Sequence, residues 1–394
     1  MTATPQPLSP PAFSLAEVFE AYHECRRHKR NKPSAVAFEL DLEHSLIELC
    51  AELNAGSWVP APTNVFIVET PVKREVFAAG FRDRVVHHVL IRRLNPLFER
   101  EFIYDSYSCR VGKGTHLGIA RLQRFLRRES SNPPCDPWVL RLDIQGFFMN
   151  IQRTKLLNLL EDFLNRTYRG DDLKLILQLL RNLILADPTR DCRRQSPLSS
   201  WDNLPADKSL FKVPSGCGLP IGNLTSQVLA NFYLSGLDHY VKHTLGIASY
   251  GRYVDDLFLV HRDHEVLVTA TAAIRNFLHD RLALTLHPRK IRLARASVGV
   301  AFLGAFVRPD RLYPSRRLRS NFRQAIDRHN LVVARRPPKR EQKAAFLASM
   351  NSYLGILRHS RSWRFRTEEV ASRISPHWKR RFVLVPDATK VRKV

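Results

Sequence analysis

Apolar residues recur at three-to-four spacing through much of the chain, and where that period breaks, short alternating or β-branched runs take over. Ser14 suits a helix cap, and Leu15, Val18, Phe19 and Tyr22 then share one face before the basic cluster Arg26 to Arg30. This predicts an amphipathic helix ending in cations. A second helix is expected over Leu42 to Leu53. Asn64 to Phe81 is β-branched and aromatic, with Lys73 and Arg74 near its centre, and reads as a basic hairpin. Arg84 to Phe98 returns to helical period, Ser130 to Pro137 is loop-like, and Trp138 to Ile144 is a short strand. Leu156 to Leu185 is leucine-rich at helical spacing. Asp187 to Pro214 holds four prolines and many polar groups, and reads as a long exposed insertion.

Asn223 is placed to cap a helix whose apolar face is Leu229, Phe232, Tyr233, Leu237, Tyr240 and Val241. Strands over Ile247 to Tyr253 and Leu257 to His261 flank a Val254-Asp255-Asp256 turn. Asp263 caps another helix reaching Leu282, and Leu284 to Leu293 and Val298 to Val307 are strand-like. Beyond Pro309 the chain turns helical and basic. Strand, helix, hairpin, helix, strand is the order of a small antiparallel sheet with helices on one face, an α+β arrangement. The first eleven residues contain Pro5, Pro7, Pro10 and Pro11 and predict a disordered lead.

A length of 394 residues exceeds what one core usually supports, so two or three subdomains are expected. With 44% hydrophobic and 9% aromatic residues the chain is a folded globular one. Its net charge of +25, read as spread along the whole chain, changes the picture: a polyanion is the expected partner, through neutralised phosphates and released counterions. A ribosome-like basic protein or a membrane-surface binder is the bland alternative. No apolar run approaches the roughly 20 residues of a membrane span, and no leader pattern opens the chain, so a cytoplasmic protein without membrane contact is expected. The six cysteines show neither a CxxC pair nor zinc spacing with histidines, which argues against structural zinc and disulfides.

Tyr253-Val254-Asp255-Asp256 puts adjacent carboxylates at a hairpin tip flanked by Leu257-Phe258-Leu259-Val260, too apolar to face water. Acids buried there repel each other, and divalent cations are the usual compensation. An Asp-Asp turn alone is most often an ordinary solvated turn. Asp143 supplies the partner: alternation puts Val139, Arg141 and Asp143 on one strand face and Trp138, Leu140, Leu142 and Ile144 on the other. If that strand lies beside the hairpin, three carboxylates converge and suit two magnesium ions about 3.5 to 4 Å apart. By itself Asp143 reads equally well as a strand-end cap.

These residues resemble reverse transcriptase motifs. Asp143 with Phe148 five residues on, Gly218-Leu219-Pro220-Ile221-Gly222 opening a helix, and Tyr253-Val254-Asp255-Asp256 have the family's order and spacing. Lys73-Arg74, Phe81-Arg82-Asp83-Arg84, Tyr107-Ser108-Cys109-Arg110, Gly112-Lys113-Gly114, Lys290 and Phe302-Leu303-Gly304 extend the likeness over most of the chain. Ile221-Gly222-Asn223-Leu224-Thr225-Ser226-Gln227 departs from the Gln-Gly-x-x-x-Ser-Pro common in such enzymes. It resembles the reverse transcriptases of diversity-generating retroelements, as do Leu142 to Phe148 and Gly112 to His116. That likeness implies copying of a template-repeat RNA into cDNA with errors mainly at adenines, for diversification of a target gene.

The resemblance implies a right-hand polymerase: an N-terminal helical extension over 1–62, fingers over 63–136, an antiparallel palm over 137–310 and a basic helical thumb over 311–394. It implies catalysis by Asp143, Asp255 and Asp256, metal contact also at Ile144, and two Mg2+ ions replaceable by Mn2+. Lys73, Arg74, Arg110, Phe148, Pro220, Ile221, Gly222, Gln227 and Lys290 are expected around the deoxynucleoside triphosphate. Arg82, Arg84, Lys113, Tyr253, Leu303, Gly304, Arg335 and Arg336 are expected along template and primer. Template RNA, the RNA/cDNA duplex and a small basic accessory variability protein, a helical-bundle pentamer, are the implied partners.

Each assignment has a physical reading and a plainer one. Phe148 would fill the space of a ribose 2′-hydroxyl, or is a core aromatic. Lys73, Arg74 and Arg110 suit phosphate oxygens, or form a solvated face. Lys290 suits a general acid near pyrophosphate, or is a surface lysine. Gly222 lacks the Cβ that would hinder close approach. Ile221, without donor or acceptor, replaces a polar contact and is expected to let mispairs survive. The short remainder after the basic helices leaves no room for an endonuclease module or DNA-binding zinc cluster. A retron or intron enzyme, and a non-catalytic RNA-binding scaffold, are the rival readings.

Overall fold

The computed structural model describes residues 11–27, 29–69, 72–130, 135–334 and 336–394. The chain opens with three helices, α1 (Leu15–Arg26), α2 (Pro33–Glu39) and α3 (Leu42–Ala55). Ser14 caps α1 by accepting from the Glu17 N–H, and Gly56 ends α3 in the left-handed conformation that glycine adopts without cost. The sequence pattern did not show α2. A hairpin of β1 (Thr63–Val68) and β2 (Arg74–Ala78) follows, then α4 (Phe81–Glu101) and α5 (Thr115–Ser130). α4 is so apolar on one side that Val85, Val86, Val89, Leu90 and Leu94 are all buried, and α1 packs along it.

Next come β3 (Trp138–Asp143), the short α6 (Phe147–Asn150), α7 (Arg153–Thr167), α8 (Leu173–Leu185) and β4 (Cys192–Arg194). α9 (Leu224–Tyr233) and α10 (Ser235–His239) lead through a π-turn into β5 (Tyr250–Tyr253) and β6 (Asp256–His261). α11 (His264–Leu282) is capped by Asp263, as its position predicted. Asn223 precedes α9 but makes no capping bond. Its Oδ1 accepts from the Ala79 N–H instead, so it ties the helix start to β2. The strand-like stretches after Leu282 shrink to β7 (Arg292–Arg295), β8 (Val300–Phe302) and β9 (Ala305–Val307).

The central sheet runs β5-β6-β3-β7, antiparallel throughout. Alternation along β3 divides the core as expected. Leu140, Leu142 and Ile144 join the large cluster built from α1, α3, α4, α7, α8, α9 and α11, while Val139 joins Tyr107, Leu122, Phe125, Phe258 and Phe302 under α5 on the other face. The fold is α+β, with an antiparallel palm, fingers and a helical thumb. The thumb has its own core. β10 (Leu312–Pro314) pairs with β9 and leads into α12 (Arg316–Val333), α13 (Arg340–Leu357), α14 (Trp363–Arg373), α15 (Pro376–Lys379) and a terminal hairpin of β11 (Phe382–Leu384) and β12 (Val391–Lys393). Trp378 and Phe346 stack at its centre with ring centroids 4.2 Å apart.

Two expectations need correction. The 187–214 segment is exposed along much of its length but is not a free loop. Within it β4 adds to β1 as a parallel strand, giving the order β2-β1-β4, and Leu204, Ser209 and Leu210 are buried. Glu75, almost wholly buried, ties down the later half of the segment, accepting from Trp201 Nε1 (2.6 Å), Ser209 Oγ (2.9 Å) and the Leu210 N–H (2.6 Å). Nor is the positive charge spread evenly: residues 311–394 hold 22 Lys and Arg against 5 Asp and Glu, so this C-terminal stretch carries +17 of the chain's +25. No helix among the described residues is long and apolar enough to cross a membrane.

Candidate active site

β3 and β6 pair in a register that sets Asp143 directly opposite Asp256. Directly opposed residues on antiparallel strands share a face, with Cβ atoms about 5 Å apart. The Tyr253 and Asp256 pair closes the β5–β6 hairpin around a two-residue turn, Val254-Asp255, so the third carboxylate stands beside the first two. Burial, and after it the charge of Asp143, pushes the Asp255 carboxyl up to about 6. Burial raises Asp256 as well, against the pull of Arg141.

Two cations meet these acids. Lys290 Nζ lies 2.8 Å from Asp143 Oδ1, and Arg141 Nη2 donates to both oxygens of Asp256 at 2.9 and 2.8 Å. Among the described residues no three acidic, His or Cys side chains already converge as a metal cage. Two of the three carboxylates are instead paired with cations, Asp143 with Lys290 and Asp256 with Arg141. The donor set nevertheless fits a divalent ion, because three carboxylates crowded on a mostly buried edge repel one another and one of them resists ionisation.

A family model described as reverse transcriptase (RNA-dependent DNA polymerase) matches residues 74–307, more than half of the chain and all three aspartates. The chain belongs to the reverse transcriptase family. Protein YkfC of Escherichia coli (strain K12) is 23% identical over 290 residues, covering 64% of this chain and 68% of that protein. Among solved structures, an apo telomerase from Candida tropicalis truncated from its C-terminal domain shares 10% identity over 65% of this chain, with TM-score 0.49. A telomerase from Candida albicans in complex with a fragment of telomeric RNA shares 10% over 81%, with TM-score 0.46. The chain spans 56% and 57% of those two structures.

Reverse transcriptases generally use divalent metal ions. In this one Ile144 turns its side chain into the core and donates its N–H to the Asp255 carbonyl (3.3 Å), so only its own carbonyl is available to a cation. Phe148 is half-buried at the core's edge, its ring 5.4 Å from that of Phe147. Ile221 packs against the small cluster of Val65, Phe77, Met149 and Leu210, and its carbonyl accepts from the Phe77 N–H (2.9 Å). Gly222 has φ +123°, and a Cβ there would stand 2.8 Å from Val76 Cγ1, so a side chain is excluded. Pro220 is half-buried before it, and Gln227 is exposed, accepting from Cys109 Sγ at 3.2 Å.

The expected phosphate ligands separate. Arg74 is exposed at the start of β2, while Lys73 Nζ donates to the Asp202 carbonyl at 2.8 Å, with Glu69 at 3.5 Å. Arg110 is turned inward: its guanidinium pairs with Glu99 (2.8 Å) and donates to the Ile103 and Ser106 carbonyls. In this structure its donors are engaged by the protein's own groups. Arg82 pairs with Glu52 (2.6 Å), Arg84 is half-buried two residues later in α4, and Lys113 Nζ sits over the Tyr104 ring at 3.2 Å. Tyr253 packs beside the α5 cluster, and Leu303 and Gly304, at φ +47° and +85°, form the turn between β8 and β9. Arg336 is exposed between α12 and α13, and Arg335 lies outside the described residues. Sequence reasoning assigned no role to Arg141, Glu75, Asp238 or Arg252. For Arg141 a signal existed, since alternation already placed it on the face of Asp143.

Proposed function

We propose that this chain is an RNA-directed DNA polymerase that makes error-prone cDNA from a template-repeat RNA in a diversity-generating retroelement. The observation that carries the polymerase reading is the register of Asp143 on Asp256 with Asp255 half-buried in the turn beside them. Bound there, two divalent ions, Mg2+ with Mn2+ as a substitute, would stabilise the attacking 3′-hydroxyl oxygen and the leaving pyrophosphate. The chain's own part is to hold the three carboxylates on one rigid sheet edge. Lys290, already at Asp143, is the cation placed to give a proton or a hydrogen bond to the leaving group. Phe148, following β3, is the ring that would exclude a 2′-hydroxyl. The thumb, at +17, holds template and cDNA through phosphates.

What favours the retroelement over retron or intron enzymes is Ile221-Gly222 with Ser226-Gln227. Ile221 is committed to an apolar cluster, so no hydrogen bond from that side chain polices the incoming base. The adenine bias itself rests on the resemblance, as does the pentameric accessory protein. The test is deoxynucleotide incorporation on a defined RNA template, followed by sequencing of the cDNA. Wild type should incorporate and misincorporate opposite adenine, Asp255→Ala should not incorporate, and Ile221→Gln should lower the error rate with template use retained. An inactive wild type would leave the RNA-binding scaffold. An accurate one would remove the diversity-generating assignment and keep the polymerase.

A further inference from the structure

The turn that carries Asp255 and Asp256 holds a conformation its sequence disfavours. Val254 is β-branched yet has φ +56°, at the first central position of a two-residue hairpin turn, where glycine is the usual occupant. Two hydrogen bonds keep it there. Its N–H donates to Ser108 Oγ (3.2 Å), and its carbonyl accepts from Arg252 Nη1 (3.1 Å).

Arg252 is itself an unusual residue to find in this place. Its side chain and that of Asp238 are both fully buried, joined by Nε to Oδ1 at 2.8 Å and Nη2 to Oδ2 at 2.5 Å. The Tyr250 hydroxyl donates to the same Asp238 Oδ1 (2.6 Å), and Asn231 Oδ1 accepts from Arg252 Nη1 (2.9 Å). The Arg252 backbone is gripped as well, its N–H by the Asp105 carbonyl (2.9 Å) and its carbonyl by the Tyr107 N–H (3.0 Å). Buried ion pairs are poor stabilisers, since desolvation offsets their attraction and apolar replacements often do as well. Stability alone gives no reason for this pair. What an apolar pair would not supply is a fixed donor aimed at the Val254 carbonyl.

We propose that Arg252, oriented by Asp238, is a positioning residue for nucleotidyl transfer: it holds the left-handed Val254 turn and so aims Asp255 and Asp256. Arg252 touches neither substrate nor metal and acts through the backbone of the turn. This rests on the polymerase reading of the three aspartates.

The test uses the full chain with Asp238→Asn and Arg252→Met together, which leaves no lone buried charge. The variant should unfold cooperatively and bind template RNA as wild type does. Its kcat should fall on the order of tenfold to a hundredfold, the scale of a misplaced reacting group, with KM for deoxynucleotide unchanged. Direct Mn2+ binding, followed by the ion's paramagnetic resonance, should weaken in parallel. Adding Val254→Gly should recover both kcat and Mn2+ affinity several-fold, because glycine adopts positive φ unheld, whereas Val254→Gly in the wild type should bring no gain. A purely structural pair would not be rescued in this way. Wild-type kcat and Mn2+ affinity in the folded double variant, or a loss that Val254→Gly leaves untouched, would overturn the proposal. If the double variant does not fold, Ser108→Ala releases the Val254 N–H without disturbing the buried charges. A smaller loss recovered by Val254→Gly then supports the proposal, and no loss overturns it. Failure of the polymerase reading would look different, with Asp255→Ala as active as wild type.

Discussion

At the scale of single residues, Asp255 is where function works against stability. Its carboxyl stands near 6 in the fold against an ordinary value of 3.8. Below about pH 3.8 both folded and unfolded chains hold the proton and no penalty exists. Between the two values the unfolded chain has released it and the fold has not, so the penalty grows with pH and is complete above about 6. Asp255→Asn is therefore expected to raise the unfolding free energy in chelator at pH 8 by on the order of 2 to 3 kcal/mol, seen as a higher melting temperature, and to change it little at pH 3.5. The same substitution should lower polymerisation roughly a thousandfold, the scale of losing a preorganised charge-stabilising group. Equal melting of the two proteins at pH 8 would refute the penalty that burial, and after it the charge of Asp143, places on the Asp255 carboxylate. Phe148→Val is expected to admit ribonucleotides while deoxynucleotide use holds, read as the ratio of their kcat/KM values. An unchanged ratio would return the ring to the core.

At the scale of elements, much of the architecture was legible because its signals are local. The caps of α1 and α11, the β1–β2 hairpin and the alternation of β3 follow from neighbouring residues alone. The three aspartates were legible for a different reason: carboxylates between apolar strands require an explanation that few chemistries supply. What stayed hidden depends on distance along the chain. Nothing local to Glu75 announces that Trp201, Ser209 and Leu210 will bond to it, and nothing local to Asp238 announces Arg252. The inward pairing of Arg110 with Glu99 was hidden too, because an exposed phosphate ligand and an inward ion pair look alike in sequence. Glu75→Ala tests the tie to the insertion. It leaves two buried donors and the half-buried Trp201 Nε1 unpaired and should cost roughly 3 kcal/mol in urea unfolding. Trypsin should then cut at Arg193, Arg194 or Lys208 well before the rest of the chain, and a wild-type cleavage pattern would show that the segment is held otherwise.

At the scale of the whole molecule, charge is segregated from chemistry. The first 310 residues carry 40 Lys and Arg against 32 Asp and Glu, and many of those pair internally, as Arg92 does with Glu20 and Glu24 and Arg93 with Glu17 and Asp172. The thumb has few acids to pair with. Template affinity should therefore fall linearly in log–log form with salt, and each exposed thumb arginine removed, Arg316 or Arg319 for example, should lower the slope by about one. Removing Arg92 should leave the slope alone. A slope equally sensitive to both ends would mean that nucleic acid is gripped over the entire surface.

The parallel pairing of β1 with β4 also fixes when the molecule can be finished. Thr63 waits for Cys192, and during synthesis at roughly 5 to 20 residues per second the intervening stretch takes on the order of 6 to 26 seconds to emerge. Throughout that interval β1 offers an open row of backbone donors and acceptors, the form of edge on which chains aggregate. A nascent chain of this protein thus passes that interval with one edge of its β1–β2 hairpin open, and the speed of the ribosome between those two strands becomes a determinant of yield.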